Sequence, residues 1–181
     1  FTKNKNAYDR GGKIAAQGTV DEKAIEKLLK NSFINKNSPK STGRDDFPFS
    51  LFLKCTKSRG KNQVATATEF TARSICKTLK KINKPHKNTI HTVIVCGGGA
   101  KNTYLMKRLS ELSENVSIQP IEKYQLNSQL VEAQAFALLG YLSLKGVALG
   151  GPWTGVSSFA PPGWITPGQN WSHLLTKLTH S

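Results

Sequence analysis

Residues 91–100, His91-Thr92-Val93-Ile94-Val95-Cys96-Gly97-Gly98-Gly99-Ala100, contain a β-branched run that leads directly into a glycine cluster. Such a run is typical of a buried parallel strand. Glycines after a strand let the backbone approach a ligand, and the amino end of a following helix favours negative charge. A nucleotide-binding turn and a tight structural turn explain these ten residues equally well, since neither a Walker loop nor a GxGxxG motif is present.

Helices and a second strand are predicted around this stretch. Asn102 is placed to cap a helix, and residues 116–119 offer another strand, which completes a βαβ-like unit. A long helix is predicted over residues 65–82, with an apolar face that carries Ala67, Thr71, Ile75 and Leu79. Alternating helices and strands predict an α/β fold.

The ends of the chain carry further helix patterns. Thr19 and Glu22 have the spacing of a capping box, which predicts a helix over residues 20–30 followed by a polar connection over residues 31–39. Ser128 is placed to cap a helix that Gly146 ends.

The last quarter of the chain is rich in glycine, proline and tryptophan. It predicts an irregular segment over residues 150–168 and a short helix after it. Large aromatic side chains usually pack, so we expect burial beneath this segment for Trp153, Trp164 and Trp171.

Charge and composition narrow the function classes. The chain has 38% hydrophobic and 20% charged residues, which is typical of a globular protein. The net charge of +15 raises the question of a polyanion, but the lysines are scattered and no aromatic residues alternate with them. We therefore expect solvated basic surfaces rather than a nucleic-acid binding site.

The three cysteines, Cys55, Cys76 and Cys96, form no CxxC pair, so they predict buried thiols in a reducing, cytoplasmic compartment. The four histidines have no metal-ligand spacing, and no metal site is predicted from them: His86, His91, His173 and His180. No apolar run approaches the roughly 20 residues of a membrane helix.

Several stretches in order together resemble the anhydro-N-acetylmuramic acid kinase family. They include Pro39-Lys40-Ser41-Thr42-Gly43-Arg44, Gly97-Gly98-Gly99-Ala100-x-Asn102 and Val131-Glu132-Ala133-x-Ala135-Phe136-Ala137. Further matches are Tyr8-Asp9, Gly11-Gly12, residues 65–75 and Thr154-Gly155, so the resemblance covers nearly the whole chain.

The resemblance implies a ribonuclease-H-like lobe of an actin-like or hexokinase-like kinase, which closes with a second lobe around ATP and Mg²⁺. Such kinases phosphorylate the 6-oxygen of a 1,6-anhydro-sugar while water opens the anhydro bridge. The sugar is anhydro-N-acetylmuramic acid in one branch and levoglucosan in another, and the Trp164 to Trp171 segment is similar to the fungal branch.

Residue roles follow from the same resemblance. It implies nucleotide contacts from Gly97, Gly98, Gly99, Ala100 and Asn102, with Lys101 where the family commonly has histidine. Glu132 is implied to face the sugar, where a carboxylate hydrogen-bonds the ring or assists water. A substrate-lining loop is implied for Lys40, Ser41, Thr42 and Arg44, against the alternative of a turn tied by its own hydrogen bonds. Arg73 is interpreted as a residue on the polar face of its helix, and Asp9 as the cap of a turn. Both interpretations are favoured over a role in the site.

The family's glycine- and serine-rich phosphate loop and its catalytic aspartate have no counterpart in these 181 residues. We therefore expect residues 1–181 to be a carboxy-terminal lobe that is inactive without an amino-terminal lobe and that forms homo-oligomers through uncovered surface. The alternative is a truncated or degenerate binding module of the same fold.

Overall fold

The computed structural model of the protein describes residues 8–43, 45–83 and 89–179. Within these ranges the helices and strands follow one another as α1 (Glu22–Leu28), α2 (Ser32–Asn35), α3 (Phe49–Cys55), α4 (Gly60–Asn83), β1 (Thr92–Val95), α5 (Thr103–Leu112), β2 (Ser117–Pro120), α6 (Val131–Leu144) and α7 (Trp171–Thr179). Short 3₁₀ turns include Arg10–Gly12, Ala15–Gln17 and Gly98–Lys101. The mixture of helices with a parallel sheet confirms the α/β class.

The chain divides into two compact units. The first contains residues up to Asn37 together with Ser41–Gln129, and the second contains Ser38–Lys40 and the residues from Leu130 onward. All described elements from α1 to β2 therefore belong to the first unit, and α6 and α7 belong to the second.

The sheet of the first unit consists of β1 and β2, which pair in parallel from Thr92 opposite Ser117 to Val95 opposite Pro120. With α5 as the crossover, this arrangement confirms the predicted βαβ unit. The expectation of a buried strand is wrong, because alternate residues of β1 are exposed, including Ile94. A sheet of two strands leaves much of its surface open to solvent.

The core of the first unit lies between α4 and α5. Its buried members are Ala72, Cys76 and Leu109, and partly buried side chains pack against them: Leu105, Met106, Leu112 and Ile118. Helix α4 is longer than predicted, and the predicted apolar face is wrong, since Thr71 and Ile75 are exposed. The buried face instead carries Ala65, Thr66, Glu69, Ala72 and Cys76.

Helix α1 begins two residues later than predicted, and its cap is Asp21 rather than Thr19. The Asp21 carboxylate accepts hydrogen bonds from the backbone N–H of Ala24 at 3.0 Å and from the Thr56 hydroxyl at 2.7 Å. The predicted polar connection also contains α2, whose Ile34 is buried. Phe33 and Ile34 are the apolar residues of this segment, and an adjacent pair has no helical period that would predict a one-turn helix.

Helix α6 of the second unit ends as predicted. Gly146 has φ +67°, and the N–H groups of Gly146 and Val147 donate to the carbonyls of Ser143 and Leu142, which is the Schellman arrangement. The prediction that Ser128 caps this helix is wrong, because Leu130 occupies the cap position and makes no side-chain cap. The apolar side chains of α6 are largely exposed, among them Phe136, Leu138 and Tyr141.

The glycine- and proline-rich tail carries the predicted terminal helix α7. Burial of all three tryptophans is wrong, since Trp153 is exposed and Trp164 is 94% exposed, while Trp171 is half-buried. Trp153 instead contacts Phe159, with ring centroids 5.8 Å apart.

The three thiols have different surroundings. Cys76 is buried, as predicted, and its sulfur lies 3.2 Å from the Ser113 hydroxyl. Cys55 is half-buried and Cys96 is exposed, so the expectation of burial is wrong for Cys96. Among the helices of the described ranges, none is long and apolar enough to cross a membrane.

Candidate functional site

The candidate nucleotide turn lies at the carboxyl end of β1. Gly97 has φ +75°, its carbonyl accepts the N–H of Ala100 at 3.2 Å, and the Gly99 carbonyl accepts the N–H of Asn102 at 3.0 Å. The Asn102 side chain then accepts the N–H of Leu105 at 2.9 Å, which confirms that Asn102 caps α5. These contacts fix a strand, a 3₁₀ turn and a helix start in one continuous segment.

The three glycines of this turn are not equivalent. Gly97 adopts the left-handed region, where a side chain is strained, whereas Gly98 and Gly99 have negative φ. Among the described residues, no atom lies within 4 Å of a Cβ built on Gly98, and a Cβ on Gly99 meets only Leu105 Cδ2 at 3.9 Å. The fold therefore requires glycine at position 97 but offers no packing reason for glycine at 98 or 99.

An open cleft of about 400 Å³ lies beside the turn. One face of α5 and part of β2 form it, with a single lysine among mostly apolar or small side chains: Ala100, Thr103, Met106, Lys107, Ser110, Ile118 and Pro120. Its volume is within the range of small-molecule sites.

The loop predicted to line the substrate site is held at one end by Asp46. The Thr42 hydroxyl donates to Asp46 Oδ2 at 2.8 Å and the Gly43 N–H donates to the same oxygen at 3.2 Å. These two hydrogen bonds, with that from Thr42 the stronger, lower the pKa of Asp46. The alternative of a self-bonded turn thus describes Thr42, while Ser41 is exposed, Lys40 is half-buried and Arg44 lies outside the described residues.

Glu132 lies in the first turn of α6 and is exposed, so its carboxylate is accessible to solvent. It belongs to the second unit, as does Lys40. The turn residues 97–102, Ser41 and Thr42 belong to the first unit.

The Thr154-Gly155 motif of the second unit is explained by the local backbone. Gly155 has φ +86°, and the Thr154 hydroxyl donates to the Gly151 carbonyl at 2.7 Å.

A cluster of charged side chains in the first unit was missed by the sequence analysis. Glu69 of α4 is 1% exposed, and its carboxylate accepts hydrogen bonds from Arg73 Nε at 2.6 Å and from Arg108 Nε and Nη2 at 2.7 and 2.9 Å. Arg73 also donates to both oxygens of Glu22, and Arg108 donates to Glu111. Arg73, predicted as a polar-face residue of its helix, thus forms ion pairs both within α4 and with α1.

This ion-pair cluster joins three helices, since its members come from α1, α4 and α5. The hydrogen bonds from Arg108 are the main cause of the lowered pKa of Glu69, and Arg73 lowers it further. The pKa of Arg73 is raised, chiefly by its bonds to Glu22. The spacing of Glu69 and Arg73, four residues apart on a helix, is a detectable sequence feature, whereas Arg108 lies too far along the chain to be linked to them.

The parts of the chain that the structure describes contain no cluster of side chains that could hold a metal ion. No group of three or more His, Cys, Asp or Glu side chains lies together there. His91 and His173 are exposed, and His86 and His180 lie outside the described residues.

Comparisons with known proteins agree on one family. The family described as anhydro-N-acetylmuramic acid kinase matches residues 2–167. A protein named anhydro-N-acetylmuramic acid kinase from Pseudomonas savastanoi pv. phaseolicola is 38% identical over 151 residues, which cover 81% of this chain and 40% of the relative. Proteins of the same name are 36% identical in Gamma-proteobacterium EBAC31A08, covering 78% of this chain and 38% of the relative, and 35% identical in Rippkaea orientalis, covering 80% and 38%.

The chain spans about two fifths of the length of these curated relatives. The match nevertheless includes nearly all of the segments described above, from the 3₁₀ turn Arg10–Gly12 to the glycine-rich tail. The chain therefore belongs to the anhydro-N-acetylmuramic acid kinase family, which confirms the resemblance found in the sequence.

Proposed function

We propose that this chain is the carboxy-terminal lobe of an ATP-dependent kinase that phosphorylates the 6-oxygen of a 1,6-anhydro-sugar and opens the anhydro bridge with water. Family membership and the names of the relatives support this assignment. The lobe has the ribonuclease-H-like fold in this proposal, with β1, α5 and β2 as its described βαβ unit.

The observation that carries the proposal is the open space above Gly98 and Gly99. Backbone geometry explains Gly97, but neither φ nor packing within the described residues explains the next two glycines. A ligand that approaches the backbone does explain them, because a methyl group at either position would project toward it. We assign this ligand as the nucleotide, with the amino end of α5 beside it to favour its negative charge.

The cleft next to the turn supports the same assignment. It offers apolar surface from Met106, Ile118 and Pro120 and one ammonium group from Lys107. A nucleotide has an apolar base and charged phosphates, so a mostly apolar cleft beside a glycine turn suits both parts.

On the sugar side, we propose that Glu132 hydrogen-bonds the ring or assists the attacking water, and that Lys40, Ser41, Thr42 and Arg44 line the substrate. The exposure of Glu132 at the start of α6 leaves its carboxylate accessible for this purpose. The sugar is anhydro-N-acetylmuramic acid or levoglucosan. Kinases of this type use Mg²⁺ with ATP, and we assign the metal contacts and most of the phosphate contacts to an amino-terminal lobe.

Phosphorylation assays test this function directly. The 181-residue chain, and the same chain extended upstream in its own reading frame, are incubated with ATP, Mg²⁺ and each anhydro-sugar, and sugar phosphate is measured. We expect product only from the extended protein, and the preferred sugar identifies the substrate.

Two other outcomes contradict the proposal. Product from the 181-residue chain alone would show that no second lobe is needed. An extension without a glycine- and serine-rich phosphate loop, and without product, would favour the alternative of a degenerate, non-catalytic module, which is consistent with the absence of that loop from these residues.

A further inference from the structure

The loop before α1 is shaped by the carboxylate of Asp9. Its Oδ1 accepts the N–H of Ile14 at 2.8 Å, and its Oδ2 accepts the N–H of Ala15 at 3.0 Å. The Gly12 N–H donates to the Asp9 carbonyl at 3.2 Å. Both carboxylate oxygens are thus occupied with backbone groups, which confirms Asp9 as a turn cap and folds residues 9–15 into one compact turn.

This turn contacts the start of α5, more than eighty residues along the chain. The Thr103 hydroxyl donates to the Gly11 carbonyl at 2.8 Å. Gly12 lies so close that a Cβ at this position would overlap Asn102 Oδ1 and lie 2.5 Å from Tyr104 Cβ. The atom that Gly12 touches is the one that caps α5, since Asn102 Oδ1 accepts the Leu105 N–H.

Asn102 in turn fixes the glycine turn. Its N–H donates to the Gly99 carbonyl at 3.0 Å, so a displacement of Asn102 moves the Gly98–Lys101 turn with it. A continuous series of contacts therefore runs from Asp9 through Gly12 and Asn102 to Gly99.

We propose that Asp9 and Gly12 are positioning residues for the nucleotide: they set the location of Asn102 and thereby the geometry of the 97–100 turn. The inference rests on the proposed function, because it assumes that this turn binds the nucleotide. It assigns no ligand contact to Asp9 or Gly12 themselves, and their effect on binding passes through Asn102.

A pair of neighbouring glycines supplies a matched test. Gly11 and Gly12 have φ +68° and +74°, so an alanine is strained to a similar degree at both positions. A Cβ on Gly11, however, would meet only Thr103 Oγ1 at 3.8 Å among the described residues. Only Gly12→Ala pushes against Asn102.

ADP binding to the 181-residue protein is measured by calorimetry and by changes in the amide resonances of Gly98 and Gly99. We expect Gly12→Ala to weaken ADP binding at least about tenfold, since a misplacement of about 1 Å is costly at a binding site. Gly11→Ala is expected to change it less than about twofold.

Asp9→Asn provides a second variant that leaves both glycines intact. The amide group of asparagine replaces one accepting oxygen with a donor, so either Ile14 or Ala15 loses its partner. We expect weaker ADP binding together with faster hydrogen exchange at the Leu105 amide, which reports the Asn102 cap. Exchange in the middle of α4 is expected to stay unchanged, whereas a general loss of stability would speed both.

The outcomes separate this inference from the function on which it rests. Failure of the unaltered protein to bind ADP would overturn the proposed nucleotide site. ADP binding that Gly11→Ala and Gly12→Ala weaken equally, or not at all, would overturn the positioning role alone. If Gly12→Ala does not fold, unchanged ADP affinity and Leu105 exchange in Asp9→Asn overturn it in the same way.

Discussion

Arg108 donates two hydrogen bonds to the carboxylate of Glu69, from Nε at 2.7 Å and from Nη2 at 2.9 Å, and so fastens α5 to α4 at a buried point. Arg73 adds a third bond to the same carboxylate. Because α5 begins at the candidate nucleotide turn, this pair contributes to the rigidity of the site as well as to the stability of the first unit.

Glu69→Gln is expected to lower the free energy of unfolding by about 2–3 kcal/mol, because it removes the charge of a buried carboxylate that two half-buried arginines share. Urea unfolding measures this loss. Glu111→Gln is the matched control, since Glu111 also pairs with Arg108 but is exposed, and we expect a loss below about 1 kcal/mol. Equal losses in the two variants would contradict a special role for the buried carboxylate.

The lowered pKa of Glu69 predicts a specific acid sensitivity. Arg108 and Arg73 hold the pKa of this carboxyl below its unfolded value, as the Thr56 and Ala24 hydrogen bonds do for Asp21. Stabilisation from both groups is therefore complete above the unfolded values of about 4 and is lost as pH falls through the lower folded values. Urea unfolding at pH 6, 4 and 3 is expected to show this loss, and Glu69→Gln should reduce it. An unchanged acid loss in that variant would exclude Glu69 as its source.

Gly98→Ala is expected to weaken ADP binding at least about tenfold while it changes the free energy of unfolding by less than about 1 kcal/mol. The reason is the empty space around its built Cβ and its ordinary φ, which leave the fold unaffected. Gly97→Ala should lower both quantities, since Gly97 has φ +75°. Calorimetry and urea unfolding on the same samples check both expectations, and normal ADP binding by Gly98→Ala would argue against the nucleotide site.

Glu132→Gln is expected to lower kcat of the extended protein about a hundredfold, as loss of a group that assists proton transfer does, without a change in ADP affinity. Its exposed position makes an effect on folding small. Glu114→Gln removes a carboxylate that is also exposed and pairs with Lys80 at 3.1 Å, and it should retain full activity. Full activity of Glu132→Gln would remove this residue from the sugar site.

The exposed apolar surface of α6 predicts self-association of the 181-residue chain. Phe136 and Leu138 are 65% and 56% exposed, and such surface usually finds a partner. Phe136→Gln with Leu138→Gln is expected to shift sedimentation toward the monomer, whereas Leu53→Gln, at an exposed leucine of α3, should not. A wild-type chain that is monomeric at all concentrations would contradict this expectation.

Features that depend on residues close together in the sequence were predicted best. Asn102 as a cap, Gly146 as a helix end and the strand-turn-helix around Gly97 all follow from local backbone chemistry. At α1 the cap is Asp21, two residues after the predicted Thr19, and its carboxylate also bonds to Thr56. That bond joins residues 35 positions apart, which no local pattern reveals.

The predictions that were wrong also depend on contacts between residues far apart in the chain. The buried face of α4 is set by its contacts with α1, α5 and the 15–17 turn, so Glu69 is buried between two arginines while Ile75 remains exposed. For the candidate site, the sequence and the family resemblance located both the glycine turn and the Asp9 turn, but not the contact between them, since Gly12 and Asn102 are ninety residues apart.

The exposed thiol of Cys96 allows the glycine turn to be labelled. Cys96 immediately precedes Gly97, whereas Cys76 is only 5% exposed. After Cys55→Ser, a maleimide fluorophore would attach selectively to Cys96 and place an environment-sensitive dye next to the proposed nucleotide. Changes in its emission would then follow ligand arrival in real time, which turns an unexpected surface thiol into a spectroscopic reporter.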